Sequence, residues 1–305
     1  MNGLVLLLGL LVLSYIGSFL VAGRSLTGFG LPSGSEYLVL GFCVGPHVLG
    51  LVEGSMLGAF DPLADVALGW LAMLLGLHYA FGSRRPTRIT SVVAACFVAL
   101  LTAASVAAAL LFVAWKVVPV PPGDPWIWAA GIGIACAETT PHAVRWVIER
   151  KRATGPLSRL LSELADTDDV VPLLATAVLF VPMHEHRLPL LIPELGWAGV
   201  TLGLGVLCGV VAAALLGREF RLHESFGVLL GTSLFGIGLA ARLGLSILAL
   251  MFAMGLTLAA LSRHRDEIVA MVAPTERAIL LPALVLAGAR VEPRAAPGVA
   301  AVVIA

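Results

Sequence analysis

The sequence contains little charge and almost no lysine. Charged residues make up 12% of the 305 residues, and the only lysines are Lys116 and Lys151. A soluble domain of this length needs a polar shell, which so few charged side chains cannot supply. The formal net charge is zero, so the chain has no general excess of positive charge for binding nucleic acid. These shortages argue against a soluble globular protein and against a nucleic-acid-binding protein.

Cysteine is scarce, and its spacing excludes the usual cysteine frameworks. The four cysteines lie in different apolar runs and form no CxxC pair. We therefore expect small packing residues rather than disulfides or a zinc site. The segment MHEHR (183–187) is a poor metal site, because His184 and His186 do not share a helical face. No resident metal and no cofactor are expected.

In place of charged residues and cysteines, the sequence contains long apolar runs. The chain is 59% hydrophobic with a mean hydropathy of +0.99. Runs of about 18 residues or more predict membrane-spanning helices, and helices satisfy their own backbone groups in lipid. We predict an all-α polytopic bundle of ten spans and the start of an eleventh. The predicted spans are 3–22, 35–52, 62–81, 90–115, 126–148, 160–182, 196–216, 225–241, 244–262 and 276–289.

Basic residues predict the orientation of these spans. Thirteen of the 19 lie in connections after odd-numbered spans and five in connections after even-numbered spans, while Arg145 falls inside span five. Short loops rich in Lys and Arg stay in the cytoplasm. The odd connections are therefore predicted to be cytoplasmic, and the N-terminus is predicted to lie outside.

Three aspartates interrupt span six in the stretch LADTDDVVPLL (164–174). If they faced lipid ionised, they would cost on the order of 8–10 kcal/mol, so they must face protein or water or be protonated. On a helix, Asp166 and Asp169 share one face and Asp168 lies beside it. Pro172 lacks a backbone N–H and so frees the carbonyl of Asp168 as an extra acceptor.

Adjacent carboxylates in a low-dielectric crevice cannot both ionise at low cost, so protons and a cation compete for them. Such competition is the core of a proton-for-cation exchanger. An alternative places Asp166 and Glu163 at the membrane interface, capping the helix or pairing with Arg159.

Span five is interrupted as well. Glu138, Thr139 and Thr140 precede Pro141, which forbids a normal helical hydrogen bond. Broken membrane helices commonly build ion sites, and the threonine hydroxyls and freed carbonyls suit Na⁺ or K⁺. A plain proline kink with back-bonded hydroxyls is the alternative. Arg145 is either a counter-ion for the acids or a side chain that snorkels to the cytoplasmic edge.

Six segments together resemble one family. They are LVLGFCVGPHVLGLV (38–52), LADVALGWLAMLLGLHY (63–79), ETTPHAVRWVIER (138–150), DDVVP (168–172), ARLGLSILALMFAMGLTLA (241–259) and LLPALVLAGARVE (280–292). The chain resembles the second group of monovalent cation:proton antiporters. Within that group, it is similar to bacterial sodium/proton antiporters and glutathione-gated potassium efflux systems.

The resemblance implies a fold and roles for particular residues. It implies two inverted repeats, the first about 1–182 and the second, incomplete, about 196–305, in a single transporter domain. Asp169 would bind the cation and the proton, and Asp168 would be its partner. The bacterial inner membrane is the implied location, lipid and monovalent cations are the implied partners, and a homodimer or a helper subunit is the implied assembly.

The sequence departs from the family pattern at four points. His78 stands where an acid is usual, and it is either a proton relay or a hydrogen-bonded core histidine. Glu138 replaces a small hydroxyl residue, and Leu281 replaces the lysine of electrogenic members. The family continues for about two and a half helices after the position of Ala305. On that basis the chain is a fragment or a truncated protein, and we expect it not to exchange ions alone.

Three functions compete at this point. The first is exchange of Na⁺ or K⁺ for protons at the acid pair, which is transport rather than enzymatic catalysis. The second is a truncated, non-transporting antiporter-like subunit that assembles with a partner. The third is an intramembrane aspartyl protease, which needs two aspartates from different spans. The clustering of acids on span six disfavours the protease.

Overall fold

The computed structural model describes residues 35–79, 89–116, 125–137, 144, 147–148, 151–165, 170–180, 193–217 and 222–291. Eleven helices have described bounds: α1 Ser35–Val44, α2 Gly54–Ala59, α3 Asp61–Tyr79, α4 Ile89–Lys116, α5 Pro125–Cys136, α6 Pro156–Ala165, α7 Val170–Phe180, α8 Glu194–Leu216, α9 Leu222–Leu243, α10 Ile247–Leu261 and α11 Arg265–Ala289. Residues 144, 147–148 and 151 are helical as well. The described residues contain no strand. The predicted all-α class is confirmed.

Four of the described helices are long and apolar enough to cross a membrane, judged by length and composition. The candidate spans are Val93–Val113 in α4, Gly196–Leu216 in α8, Glu224–Leu243 in α9 and Arg265–Ala289, which is α11. The helices α5 and α10 are apolar but shorter. The chain is thus a helical membrane protein, and the count of ten spans stays a prediction.

The helix α10 forms the centre of the bundle. Its buried residues fall on every side of the helix, and its most extensive contacts are with α3 and α8. Glycines let the backbones meet at these crossings: Gly76 of α3 lies against Phe252, and Gly205 of α8 lies against Leu250. Small residues at crossings allow close helix packing in membranes. The largest cluster of buried apolar side chains surrounds α10 as a result.

A second glycine crossing joins α1 to α11, and here the prediction for span two needs correction. Gly41 lies against Val285, and Gly288 lies against Leu38. The continuous helix predicted for 35–52 is wrong, because α1 ends at Val44 and a turn leads to the short α2. Pro46 explains the early end, since it disfavours helical geometry in the residue before it.

The helix α11 also differs from its prediction. It begins at Arg265 rather than at 276 and runs without interruption to Ala289. It contains two prolines, Pro274 and Pro282, each of which removes one backbone donor. The charged residues and the proline before position 276 had indicated a loop, whereas packing against α1 and α3 extends the helix through them.

The helices α4, α5, α6 and α7 form a less buried group. The helix α4 contacts each of the other three. Gly133 of α5 lies against Ala103 of α4 at the closest crossing. Only 6% of the apolar window of α4 is buried, against 33% for α8. This group therefore presents most of its apolar surface outward.

Candidate functional site

Most of the predicted ion site lies outside the described residues. This applies to the span-five residues Glu138, Thr139, Thr140, Pro141 and Arg145 and to the acids Asp166, Asp168 and Asp169. Their roles as ligands, helix break, counter-ion or relay stay predictions. What the structure describes is the flanking chain on both sides.

On the span-five side, α5 ends at Cys136, just before the predicted break. The Ala137 N–H donates to the Ile134 carbonyl at 3.1 Å, a three-residue separation rather than the four of an α-helix. Such a tightened turn is common where a helix ends, because the last carbonyls have no partner further along the helix. The helix α5 thus ends before Glu138, and the later described residues of the predicted span, 144 and 147–148, are again helical.

On the span-six side, α7 begins at Val170, directly after Asp169 in the sequence. Pro172 is the third residue of α7 counted from that start. At the other flank, α6 ends at Ala165, which is buried.

One cavity adjoins both flanks. It has a volume of about 830 Å³ and lies between α4, α5 and α7, with Ala198 of α8 at its edge. Ala137 and Pro172 both line it. The structure therefore brings the chain next to Glu138 and the chain next to Asp169 to the walls of a single cavity. The sequence predicts that these two segments lie close together, but it does not predict a cavity between them.

Among the described residues that line the cavity, none carries a charge or a hydroxyl. They are Leu100, Ala103, Ala104, Ala107, Trp126, Ala130, Ile134, Ala137, Val171, Pro172, Ala175, Val178, Leu179 and Ala198. This described part of the wall offers a cation no oxygen ligand from a side chain. Within the described ranges, no group of three His, Cys, Asp or Glu side chains could hold a metal ion either.

The structure places His78 away from this cavity. It is exposed near the end of α3, and its Nδ1 lies 2.8 Å from the Leu74 carbonyl. A carbonyl can only accept, so Nδ1 carries the proton in this contact. The His78 carbonyl accepts a hydrogen bond from Arg265 Nη2 at 3.1 Å. His78 is absent from the cavity lining, and its role as a relay stays a prediction.

Two arginines that were predicted to lie in connections between spans make specific contacts. Arg265 Nη2 donates to the last carbonyls of α3, and Arg265 Nε is buried without a hydrogen-bond partner in the described part of the chain. Arg290 donates to the Leu57 carbonyl at 3.1 Å and pairs with Asp61. Each arginine donates to carbonyls near the C-terminal end of another helix, α3 for Arg265 and α2 for Arg290, where cations are favoured.

Comparison with known proteins defines the class of fold. The chain is similar to the solved structure of the sodium proton antiporter MjNhaP1 from Methanocaldococcus jannaschii at pH 8, with a TM-score of 0.68 and 18% sequence identity. The match covers 96% of this chain and 72% of that chain. No family model matches the sequence. No curated protein matches it either. At this level of identity the similarity establishes the fold, that of an antiporter-type helix bundle.

Proposed function

We propose that the protein is a secondary-active antiporter that exchanges Na⁺ or K⁺ for protons across a bacterial inner membrane. The observation that carries the proposal is the fold, which is shared with a sodium proton antiporter over 96% of the chain. A fold alone supports many functions, so the site must supply the chemistry. The acids of span six supply it here. Carboxylates at membrane depth cost free energy, so their presence there indicates a function.

In this proposal the acid pair is the exchange site. Asp169 binds either a proton or the cation, and Asp168 completes the pair. Thr139, Thr140 and Glu138 provide further oxygen ligands, with Pro141 and Pro172 freeing backbone carbonyls. Arg145 balances the charge when the cation is absent. Support comes from the cavity that Ala137 and Pro172 share, since these residues flank both segments.

The described wall of the cavity suits this chemistry, because none of its side chains carries a charge or an oxygen. In the proposal, cation binding depends on the acids and the freed oxygens. Charge interactions strengthen where water is excluded, which makes proton and cation binding mutually exclusive. Rocking of one helical repeat against the other then exposes the site to alternate sides.

The test is cation-dependent proton movement in everted membrane vesicles. The vesicles come from an antiporter-deficient bacterial strain that expresses the chain, and a fluorescent dye reports the pH gradient after respiration acidifies the lumen. If the proposal holds, NaCl or KCl dissipates the gradient in a saturable manner, whereas choline chloride does not. The expectation from the sequence that the chain does not exchange ions alone is the competing outcome, in which neither salt dissipates the gradient. Comparing the two salts identifies the cation.

Vesicles from cells carrying the empty vector are the control for background exchange. A chain that is present in the membrane at a comparable amount but moves no protons with either salt contradicts the proposal. That result would favour the non-transporting subunit instead.

A further inference from the structure

The short helix α6 turns an apolar face away from the protein. Leu157, Leu160 and Leu161 are 67%, 41% and 44% exposed, and with Leu164 they follow the i, i+3, i+4, i+7 spacing of one helical face. We call Leu157, Leu160 and Leu161 the leucine face. A soluble protein would bury such a face in its core.

The opposite side of α6 packs inward. Ser158 and Ser162 are half-buried and Ala165 is buried, and α6 contacts α4. These three residues share a face at i, i+4 and i+7, which lies roughly 90° to 150° round the helix from the leucine face. The side with small and polar residues therefore packs against the rest of the protein, while the leucines face the surroundings of the protein.

Exposed basic residues accompany the leucine face, two in the chain before α6 and Arg159 on the far side of the helix from the leucines. Lys151, Arg152 and Arg159 are all exposed, whereas the single acid of this segment, Glu163, is half-buried and has a contact of its own. Arg152 has a φ of 47° and Gly155 a φ of 140°, so a turn delivers the first two basic residues to the start of α6. The exposed charge of the segment is thus positive.

On the predicted span limits, α6 lies at the start of span six, 160–182, and so at a membrane boundary. A helical segment with a leucine face and exposed basic residues is suited to the boundary between acyl chains and headgroups.

We propose that α6 and the turn before it form a binding surface for anionic phospholipid. The leucine face lies among acyl chains, and Lys151, Arg152 and Arg159 contact lipid phosphates. This surface depends on the membrane placement of the fold and is independent of ion exchange.

Charge favours lipid over a protein partner as the occupant. Exposed cations beside an apolar face complement the anionic headgroups of the cytoplasmic leaflet, where each is worth about 1 kcal/mol, or roughly fivefold in affinity. The predicted orientation places 151–159 on that side. A protein interface would instead desolvate these charges, and charged residues are depleted at interface cores.

The test measures which lipid lies next to the leucine face. In the full chain, the four native cysteines are replaced by alanine, and Leu160→Cys carries a fluorophore. The protein is reconstituted in phosphatidylcholine vesicles that contain an increasing fraction of acyl-brominated phosphatidylglycerol or acyl-brominated phosphatidylcholine. Bromine quenches fluorophores that it contacts. A second label at Leu157→Cys guards against failure of one labelled variant to fold.

We expect brominated phosphatidylglycerol to quench at a several-fold lower mole fraction than brominated phosphatidylcholine. K151Q, R152Q and R159Q should each weaken this preference about fivefold or less, and the triple variant should lose it. Arg263→Gln is the matched control, an exposed arginine predicted to lie on the same side, and it should keep the preference.

Two outcomes would overturn the proposal. Equal quenching by both lipids at both label positions would show that the surface does not recognise anionic headgroups. Absence of quenching by either lipid would show that protein, such as a second copy of the chain, covers the leucine face. Neither outcome depends on ion flux, so both are distinguishable from failure of the antiport proposal.

Discussion

At the residue scale, the bundle depends on glycines at helix crossings. A side-chain carbon added at Gly255 of α10 would overlap the backbone carbonyl of Met73 in α3, and one added at Gly76 would overlap that of Phe252. A backbone carbonyl cannot move aside as a side chain can. Gly231 of α9, in contrast, faces open space. Substitutions at these three positions therefore distinguish glycines that close helix packing requires from a glycine that only lowers the stability of its own helix.

We predict that Gly255→Ala lowers the free energy of unfolding by about 1–3 kcal/mol, because the added methyl forces α3 and α10 apart. Gly231→Ala should raise it by about 0.5–1 kcal/mol, since alanine stabilises a helix where nothing is crowded. Unfolding of both variants in detergent micelles measures the difference. Equal stability of the two would contradict the crossing geometry.

The proposed exchange site divides its roles between the two acids. Asp168→Asn should slow cation-driven proton movement or change the charge moved per cycle, because Asp169 still titrates at the site. The check is exchange in everted vesicles, measured with and without a clamped membrane potential. Loss as complete as in Asp169→Asn would show that both acids carry the exchanged proton.

At the element scale, the sequence predicted helices well where charges bound an apolar run. The predicted ranges 62–81, 196–216 and 225–241 match α3, α8 and α9 to within three residues at each end. Prediction failed where proline intervened. Pro46 follows the end of α1, yet Pro274 lies within α11, because tertiary packing decides whether a helix continues through a proline.

Some side chains that helical periodicity does not identify link the ends of different helices. Arg290 joins the end of α11 to the start of α3 through Asp61 and to the end of α2 through the Leu57 carbonyl. Both charged side chains are partly exposed, at 40% and 58%. Water and salt therefore screen the pair strongly.

A double-mutant cycle with Arg290→Gln and Asp61→Asn should give a coupling energy of about 0.2–1 kcal/mol, and less in high salt. Thermal unfolding of the four proteins in micelles provides the measurement. A coupling of 3 kcal/mol or more would mean that the pair is buried by lipid or by a partner.

At the scale of the whole molecule, the sequence predicted an all-α membrane protein, and the structure added how its helices pack against one another. Apolar runs indicate membrane helices, but they do not indicate that α3 and α10 cross at Gly76 and Gly255, which are distant in the chain. The same limit applies to the site. Residue types identified Asp168 and Asp169, whereas the cavity shared by Ala137 and Pro172 depends on packing between helices.

The central claim is that Asp169 carries the exchanged proton, and one substitution tests it most directly. Asp169→Asn removes the titrating carboxylate without a large change in volume. Asp266→Asn is the matched control, because Asp266 is exposed in the first turn of α11. Both are compared with the unsubstituted chain in everted vesicles at equal expression.

We predict that Asp169→Asn abolishes Na⁺- or K⁺-driven proton movement at every pH tested, while Asp266→Asn retains it. Undiminished exchange in the Asp169→Asn protein would contradict the claim that Asp169 carries the exchanged proton.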